Sequence, residues 1–139
     1  MIFRNPTDEE RRALLKRVKT IAVLGLSPQP NRPSHVVAKA MQGFGYRIIP
    51  VRPAISEILG EKCHPHLSAI PEPVDLVDVF RAAEHLPAIV EECIRLQFPA
   101  IWIQEGIVDD TAARRAQEAG MTVVMDRCIY KDFVQLCRD

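Results

Sequence analysis

The chain alternates short, almost unbroken apolar runs with longer stretches in which apolar residues return every three or four positions. Runs of the first kind suit strands covered on both faces, and the second spacing suits amphipathic helices. Thr7-Asp8-Glu9-Glu10 has the form of a capping box, in which the Thr7 hydroxyl and the Glu10 side chain satisfy backbone donors reciprocally. It predicts a helix with Leu14, Leu15 and Val18 on one face, ending near Lys19. Thr20 to Leu26 then reads as a first strand. A helix from near Pro33 through Val36, Val37, Ala40 and Met41 closes at Gly43-Phe44-Gly45, where glycine supplies a left-handed cap. Tyr46 to Val51 is a second strand, stopped by Pro53, and Val74 to Phe80 is a third. Leu86 to Leu96 is predicted to be a helix with Ile89, Val90, Cys93 and Ile94 inward, and Ala100 to Ile103 a fourth strand. Thr111 to Ala119 follows as a helix ended by Gly120, Thr122 to Met125 as a fifth strand, and Tyr130 to Leu136 as a short last helix.

This alternation predicts right-handed βαβ units and hence an α/β fold of three layers: a parallel five-stranded sheet with helices on both faces. No linker, repeat or low-complexity stretch divides residues 1–139, so one domain is expected. Pro53 to Pro73 is longer than an ordinary connection, and a short helix is expected around Ile55 to Leu59. With 139 residues, 47% of them apolar, the chain can build a proper core. Eighteen basic residues balance eighteen acidic ones, which argues against a nucleic-acid binder and against a polybasic membrane anchor. No apolar run approaches the roughly 20 residues that span a bilayer, and the N-terminus turns polar at once, unlike a signal peptide. Cys63, Cys93, Cys128 and Cys137 form no close pair, so reduced thiols and a cytoplasmic location are expected.

In an open parallel sheet, ligands sit beyond the carboxyl ends of the strands where the winding reverses. That rule singles out four segments: Gly25 to Ser34, Val51 to Pro53, Val79 to Arg81, and Gln104 to Gly106. The first begins where a dinucleotide fingerprint would, yet it keeps only the first glycine of G-x-G-x-x-G. Pro33 suits the first helical position, where its missing N–H is no loss. The free N–H groups of that turn, the helix dipole and Arg32 favour an anion there, and Ser27 adds a hydroxyl and a backbone donor. The alternative is a proline-stiffened loop without a ligand. The second strand ends Pro50-Val51-Arg52-Pro53, without the acidic residue that holds the ribose of NAD. Arg52 at that place suits a phosphate on the adenosine ribose, as in NADP or coenzyme A, or else is a solvated surface arginine.

Several segments together resemble a family. They are Ile21-Ala22-Val23-Leu24-Gly25-Leu26-Ser27, Arg32-Pro33-Ser34, Gly45-Tyr46, Ile49-Pro50-Val51-Arg52-Pro53, and Val74 through Arg81. Trp102-Ile103-Gln104-x-Gly106 and Val124-Met125-Asp126-Arg127-Cys128 complete the set. In this order they resemble the small bacterial and archaeal coenzyme A-binding proteins, whose Rossmann-like fold is similar to the N-terminal domain of the succinyl-CoA synthetase α subunit. The resemblance implies coenzyme A, or an acyl-CoA, as the ligand. It implies phosphates held by Gly25, Ser27, Pro28, Arg32, Pro33 and Ser34, with Val51, Arg52 and Pro53 near the adenosine. Val79, Phe80 and Arg81 would flank the ligand, and Gln104 and Gly106 would lie on its pantetheine side. The chain departs from many relatives in having Arg52 where they carry a small polar residue.

Other candidate chemistry is thin. Cys63-His64-Pro65-His66 has zinc-ligand residue types, but ligands so close together with a proline between them close a tetrahedron poorly, and an ordinary loop is expected. Cys128 beside Arg127 lacks an identifiable base, and Asp126 with Arg127 reads as an ion pair at a strand end. Asp75 and Asp78 fall on opposite faces of a regular strand, as a hydrogen-bonded strand carboxylate and a helix cap. His35 is placed to touch either phosphate or solvent. No Ser/His/Asp arrangement or Walker loop is present, and the phosphorylated histidine of succinyl-CoA synthetase-type ligases lies on a later domain. The expectation is a non-catalytic binding or accessory protein with a small-molecule ligand and no metal. The rivals are an NADP-dependent oxidoreductase and a nucleotide-binding scaffold for protein interaction.

Overall fold

A computed structural model describes residues 2–138. Helix α1 (Asp8–Arg17) opens on the capping box: Glu10 N–H donates to Thr7 Oγ1 and Thr7 N–H to the Glu10 carboxylate. Strand β1 (Thr20–Leu24) leads to helix α2 (Pro33–Gly43) and strand β2 (Arg47–Val51). Two two-residue strands, β3 (Glu57–Ile58) and β4 (Glu61–Lys62), come next. Strand β5 (Leu76–Val79), helix α3 (Leu86–Arg95), strand β6 (Ala100–Ile103), helix α4 (Asp110–Glu118), strand β7 (Thr122–Met125) and helix α5 (Ile129–Leu136) complete the chain.

The five longer strands form one parallel sheet in the order β2-β1-β5-β6-β7. Alternate residues of each strand face opposite layers, as a period of two requires. Ala22, Val77, Val79, Ile101 and Ile103 pack with Val90 and Cys93 of α3 and the Ala112, Ala113 and Ala116 stripe of α4. Ile21, Val23, Leu76 and Trp102 pack on the other face with Leu14 and Leu15 of α1, Val37 and Met41 of α2, and Ile129 of α5. The winding reverses between β1 and β5, so the crevice required by the fold lies at Gly25 and Phe80.

The strands end earlier than their apolar runs do. Strand β1 stops at Leu24 because Gly25 turns with φ of +88°. A Cβ there would stand 2.8 Å from the Phe80 carbonyl oxygen, so close approach of two backbones, and not only a phosphate, requires glycine. Strand β5 begins at Leu76 because the Asp75 carboxylate caps the neighbouring strand, accepting from Lys19 and Thr20 N–H at 2.9 and 3.0 Å.

The helix expected around Ile55 to Leu59 is absent; that segment holds β3 of an antiparallel hairpin, Glu57 opposite Lys62 and Ile58 opposite Glu61. Leu59 and Gly60 take positive φ at its turn, and Ile58 is buried against the core. The chain then returns beside β2, with Arg52 N–H donating to His64 O and His64 N–H to Pro50 O. This covers the end of an edge strand. At the opposite edge, the Asn5 side chain accepts from Met125 N–H and donates to Met125 O, both at 2.8 Å, in place of another strand.

Candidate functional site

The β1–α2 loop meets the end of β2 over a cleft of about 590 Å³. Ser27, Pro28, Arg32, Pro33 and Ser34 form one wall, and Arg52 and Pro53 form the other. Phe80 closes it toward β5; Gln29 lines it too, as do Ala54 and Ile55, which lie outside the segments expected to hold the ligand. No carboxylate lines this cleft among the described residues.

The loop satisfies much of its own hydrogen bonding. Ser27 N–H donates to Ser34 Oγ at 2.9 Å, and Gln29 N–H to Ser27 Oγ at 3.1 Å. Ser27 therefore does not offer its backbone donor to a ligand, as the sequence reading expected; the Ser27 and Ser34 hydroxyl protons remain. His35 and Val36 N–H both donate to Arg32 O at 3.0 Å. With Pro33 lacking an N–H, Ser34 supplies the free backbone donor of the first turn. The choice between phosphate and solvent for His35 falls to neither: its ring Nδ1 lies 2.9 Å from Ser27 O and the residue is buried. It fixes the loop.

Three arginines surround this end of the sheet without a carboxylate partner among the described residues. Arg32 reaches only Gln29 Oε1, at 3.4 Å. Arg52 donates from Nη1 to Leu26 O at 3.3 Å, so its side chain crosses from β2 toward the β1 loop instead of lying free in solvent. Arg81 packs at Gly25, with its Cδ 3.1 Å from where a Cβ would stand. By contrast Arg11, Arg47, Arg115 and Arg127 are all ion-paired.

Gly25, Arg81 and Val51 join Arg52, Pro53 and Phe80 in a second cleft of about 690 Å³ on the α3 side. Its other wall, which the sequence reading did not anticipate, includes His66, Leu67, Ile89 and Glu92. Phe80 and Arg81 also border a third hollow of about 250 Å³ with Pro33, Val37, Gln104 and Cys128. Val79 is a core residue with no exposed surface. Gly106 lines none of these clefts, and its N–H donates to the Asp126 carboxylate at 2.7 Å.

That bond corrects one expectation: Asp126 holds Gly106, and Arg127 pairs instead with Asp132, at 2.7 and 2.8 Å. Asp78 is not a helix cap. It is 1% exposed, and Gln104 Nε2 donates to its Oδ1 at 2.6 Å. Burial pushes its carboxyl up to about 7 despite that hydrogen bond. A lone aspartate between Val77 and Val79 was the signal for it. Among the described residues no group of three or more His, Cys, Asp or Glu is arranged to hold a metal, and Cys63 and His64 are buried at the sheet edge. No helix there is long and apolar enough to cross a membrane.

Comparison with known proteins agrees with this fold. An uncharacterized Bacillus subtilis protein, YneT, is 48% identical over 127 residues, covering 91% of this chain and 94% of its own length. A hypothetical protein from Pyrococcus horikoshii has the same fold, with a TM-score of 0.90, 34% identity and 98% of each chain covered. The ADP-forming acetate–CoA ligase I of Archaeoglobus fulgidus is 39% identical over 77 residues, 55% of this chain but 11% of the larger ligase. Residues 19–133 match the CoA binding domain family, and to that family this chain belongs.

Proposed function

We propose that this chain binds coenzyme A, or an acyl-CoA, at the carboxyl edge of its sheet and acts as a binding or accessory protein without chemistry of its own. One observation carries the reading: Arg32 and Arg52 face the same cleft from opposite walls, beside the free Ser34 N–H, with no carboxylate among the described residues to neutralise them. Such a cleft at the switch point fits a ligand with separated phosphates. The diphosphate lies at the start of α2, on Ser34 and Arg32. Arg52 takes the ribose phosphate, and Phe80 and Arg81 direct the pantetheine arm toward Gln104.

The polar side chains nearest the cleft serve the loop itself. Ser27 and Ser34 are bonded to each other and to the loop, and the His35 ring is occupied by a carbonyl. The missing acidic residue after β2 argues against NAD.

Calorimetry with coenzyme A, dephospho-coenzyme A, NADP and NAD tests the reading. Coenzyme A should bind most tightly. A charge-assisted hydrogen bond contributes about 1.5–3 kcal/mol, so Arg52→Ala should weaken coenzyme A by roughly 10- to 150-fold and dephospho-coenzyme A far less. Arg32→Ala should weaken both alike. Tighter binding of NADP, or equal losses for both ligands in Arg52→Ala, overturns the assignment.

A further inference from the structure

Asp78 lies in the middle of the sheet, paired in register with Val23 of β1 and Trp102 of β6, and no cation compensates it. An ionised carboxylate only accepts hydrogen bonds, so it selects one orientation of the Gln104 amide, with Nε2 inward. Gln104 is 3% exposed and its side chain makes no second hydrogen bond among the described residues, yet no buried side-chain polar atom there is left unbonded. Its Oε1 is therefore open to the hollow it lines, between Pro33 and Val37 on one side and Cys128 on the other.

We infer that Asp78 is a positioning residue that holds the Gln104 carbonyl oxygen toward this hollow, making it an acceptor site for a ligand N–H of the secondary-amide class. The inference rests on the coenzyme A reading, since the pantetheine arm carries such amides. It adds a buried residue that touches no ligand and decides what the site offers.

Protonation of Asp78 removes the selection. A neutral carboxyl donates to Oε1, which turns the amide NH₂ toward the ligand instead. Burial brings this titration near neutrality. Other titratable groups on this face have their own partners or positions. Asp132 of α5 is held by Arg11 of α1 and by Arg127, His35 of α2 by Ser27 O, and Glu105 by Lys131. Lys39 of α2 is exposed, and Arg81 and Cys128 border the same hollow. None hydrogen-bonds to Asp78.

The test compares coenzyme A affinity at pH 5.5, 7 and 8.5 for the parent protein and Asp78→Asn, which keeps the shape and removes the titration. From pH 5.5 to 8.5 the parent should gain about tenfold more affinity than the variant, the size of one buried hydrogen bond. Titration of the ligand's own phosphates is common to both proteins and cancels. Adenosine 3′,5′-bisphosphate, which lacks the arm, should show no such difference. Should Asp78→Asn not fold, Gln104→Met, which removes the acceptor, serves the same comparison. Identical pH profiles in parent and variant, or the same difference for the bisphosphate, overturn the inference while leaving the coenzyme A reading intact. A parent protein that binds no coenzyme A at any of these pH values overturns both.

Discussion

Replacing Asp132 with alanine should be among the most damaging single changes to the fold. Asp132 is buried on α5 and anchors two cations: Arg11 of α1 through Nε at 2.9 Å, and Arg127 after β7 through Nε and Nη2 at 2.8 and 2.7 Å. The two pairs differ in weight. The Arg127 side chain is 35% exposed, so water replaces much of its lost interaction. The Arg11 side chain is only 6% exposed; without Asp132 it keeps Pro6 O and the exposed Asp8 carboxylate, at 2.6 and 2.5 Å. Breaking a buried pair from one side costs about 3–5 kcal/mol, and the remaining partners of Arg11 put this site at the lower end, about 3 kcal/mol. For a domain of 139 residues that corresponds to a fall in Tm of roughly 10 °C. Urea unfolding followed by circular dichroism reads the loss directly, with an unchanged slope showing that only stability moved. The double variant Arg11→Met/Asp132→Leu removes both buried charges and should recover most of the loss, because the penalty comes from the stranded guanidinium. A loss below about 1 kcal/mol in Asp132→Ala, or a double variant no more stable than the single one, would refute this account.

Gly25→Ala should destabilise the protein by about 2 kcal/mol or more, since it combines a left-handed backbone with a Cβ 2.8 Å from the Phe80 carbonyl; a parental Tm would count against the close approach. Burial raises the Asp78 carboxyl from 3.8 when unfolded to about 7 when folded, so between these values the folded state holds the extra proton. Its contribution to stability is therefore complete below the unfolded value, falls as pH rises through this window and stays lost above it. Asp78→Asn should flatten that decline in urea midpoints measured across pH; an unchanged slope would place the titration elsewhere. Burial pushes the Cys93 thiol up to about 12, and Cys63 and Cys137 are buried as well, whereas Cys128 is half-buried. Ellman's reagent on the native protein should thus show one fast thiol, lost in Cys128→Ser, with Cys93 reacting only on unfolding.

The sequence by itself determined the layers. Apolar runs such as Ile21 to Leu24 and Ala100 to Ile103 can be satisfied only by burial on both faces, while the spacing of Ile89, Val90 and Cys93 suits only a helix lying on a sheet. Local chemistry was equally legible, because a capping box spans four residues and Pro33 starts its helix wherever the helix lies. The cleft between Ser27 and Arg52 was also foreseeable, since a parallel sheet sends every strand's carboxyl end to one edge. What tertiary structure alone decided are the pairings between distant residues. The β3–β4 hairpin has strands too short to show any period, and it forms because Ile58 finds the core and the returning chain covers the edge of β2. Arg127 lies next to Asp126 in sequence but reaches Asp132, because the turn into α5 brings that carboxylate closer. Asp78 and Gln104 stand 26 residues apart and meet only because β5 and β6 are neighbours in register. Linear spacing carries no information about which distant polar groups share a buried site, and a low-dielectric interior makes that sharing obligatory.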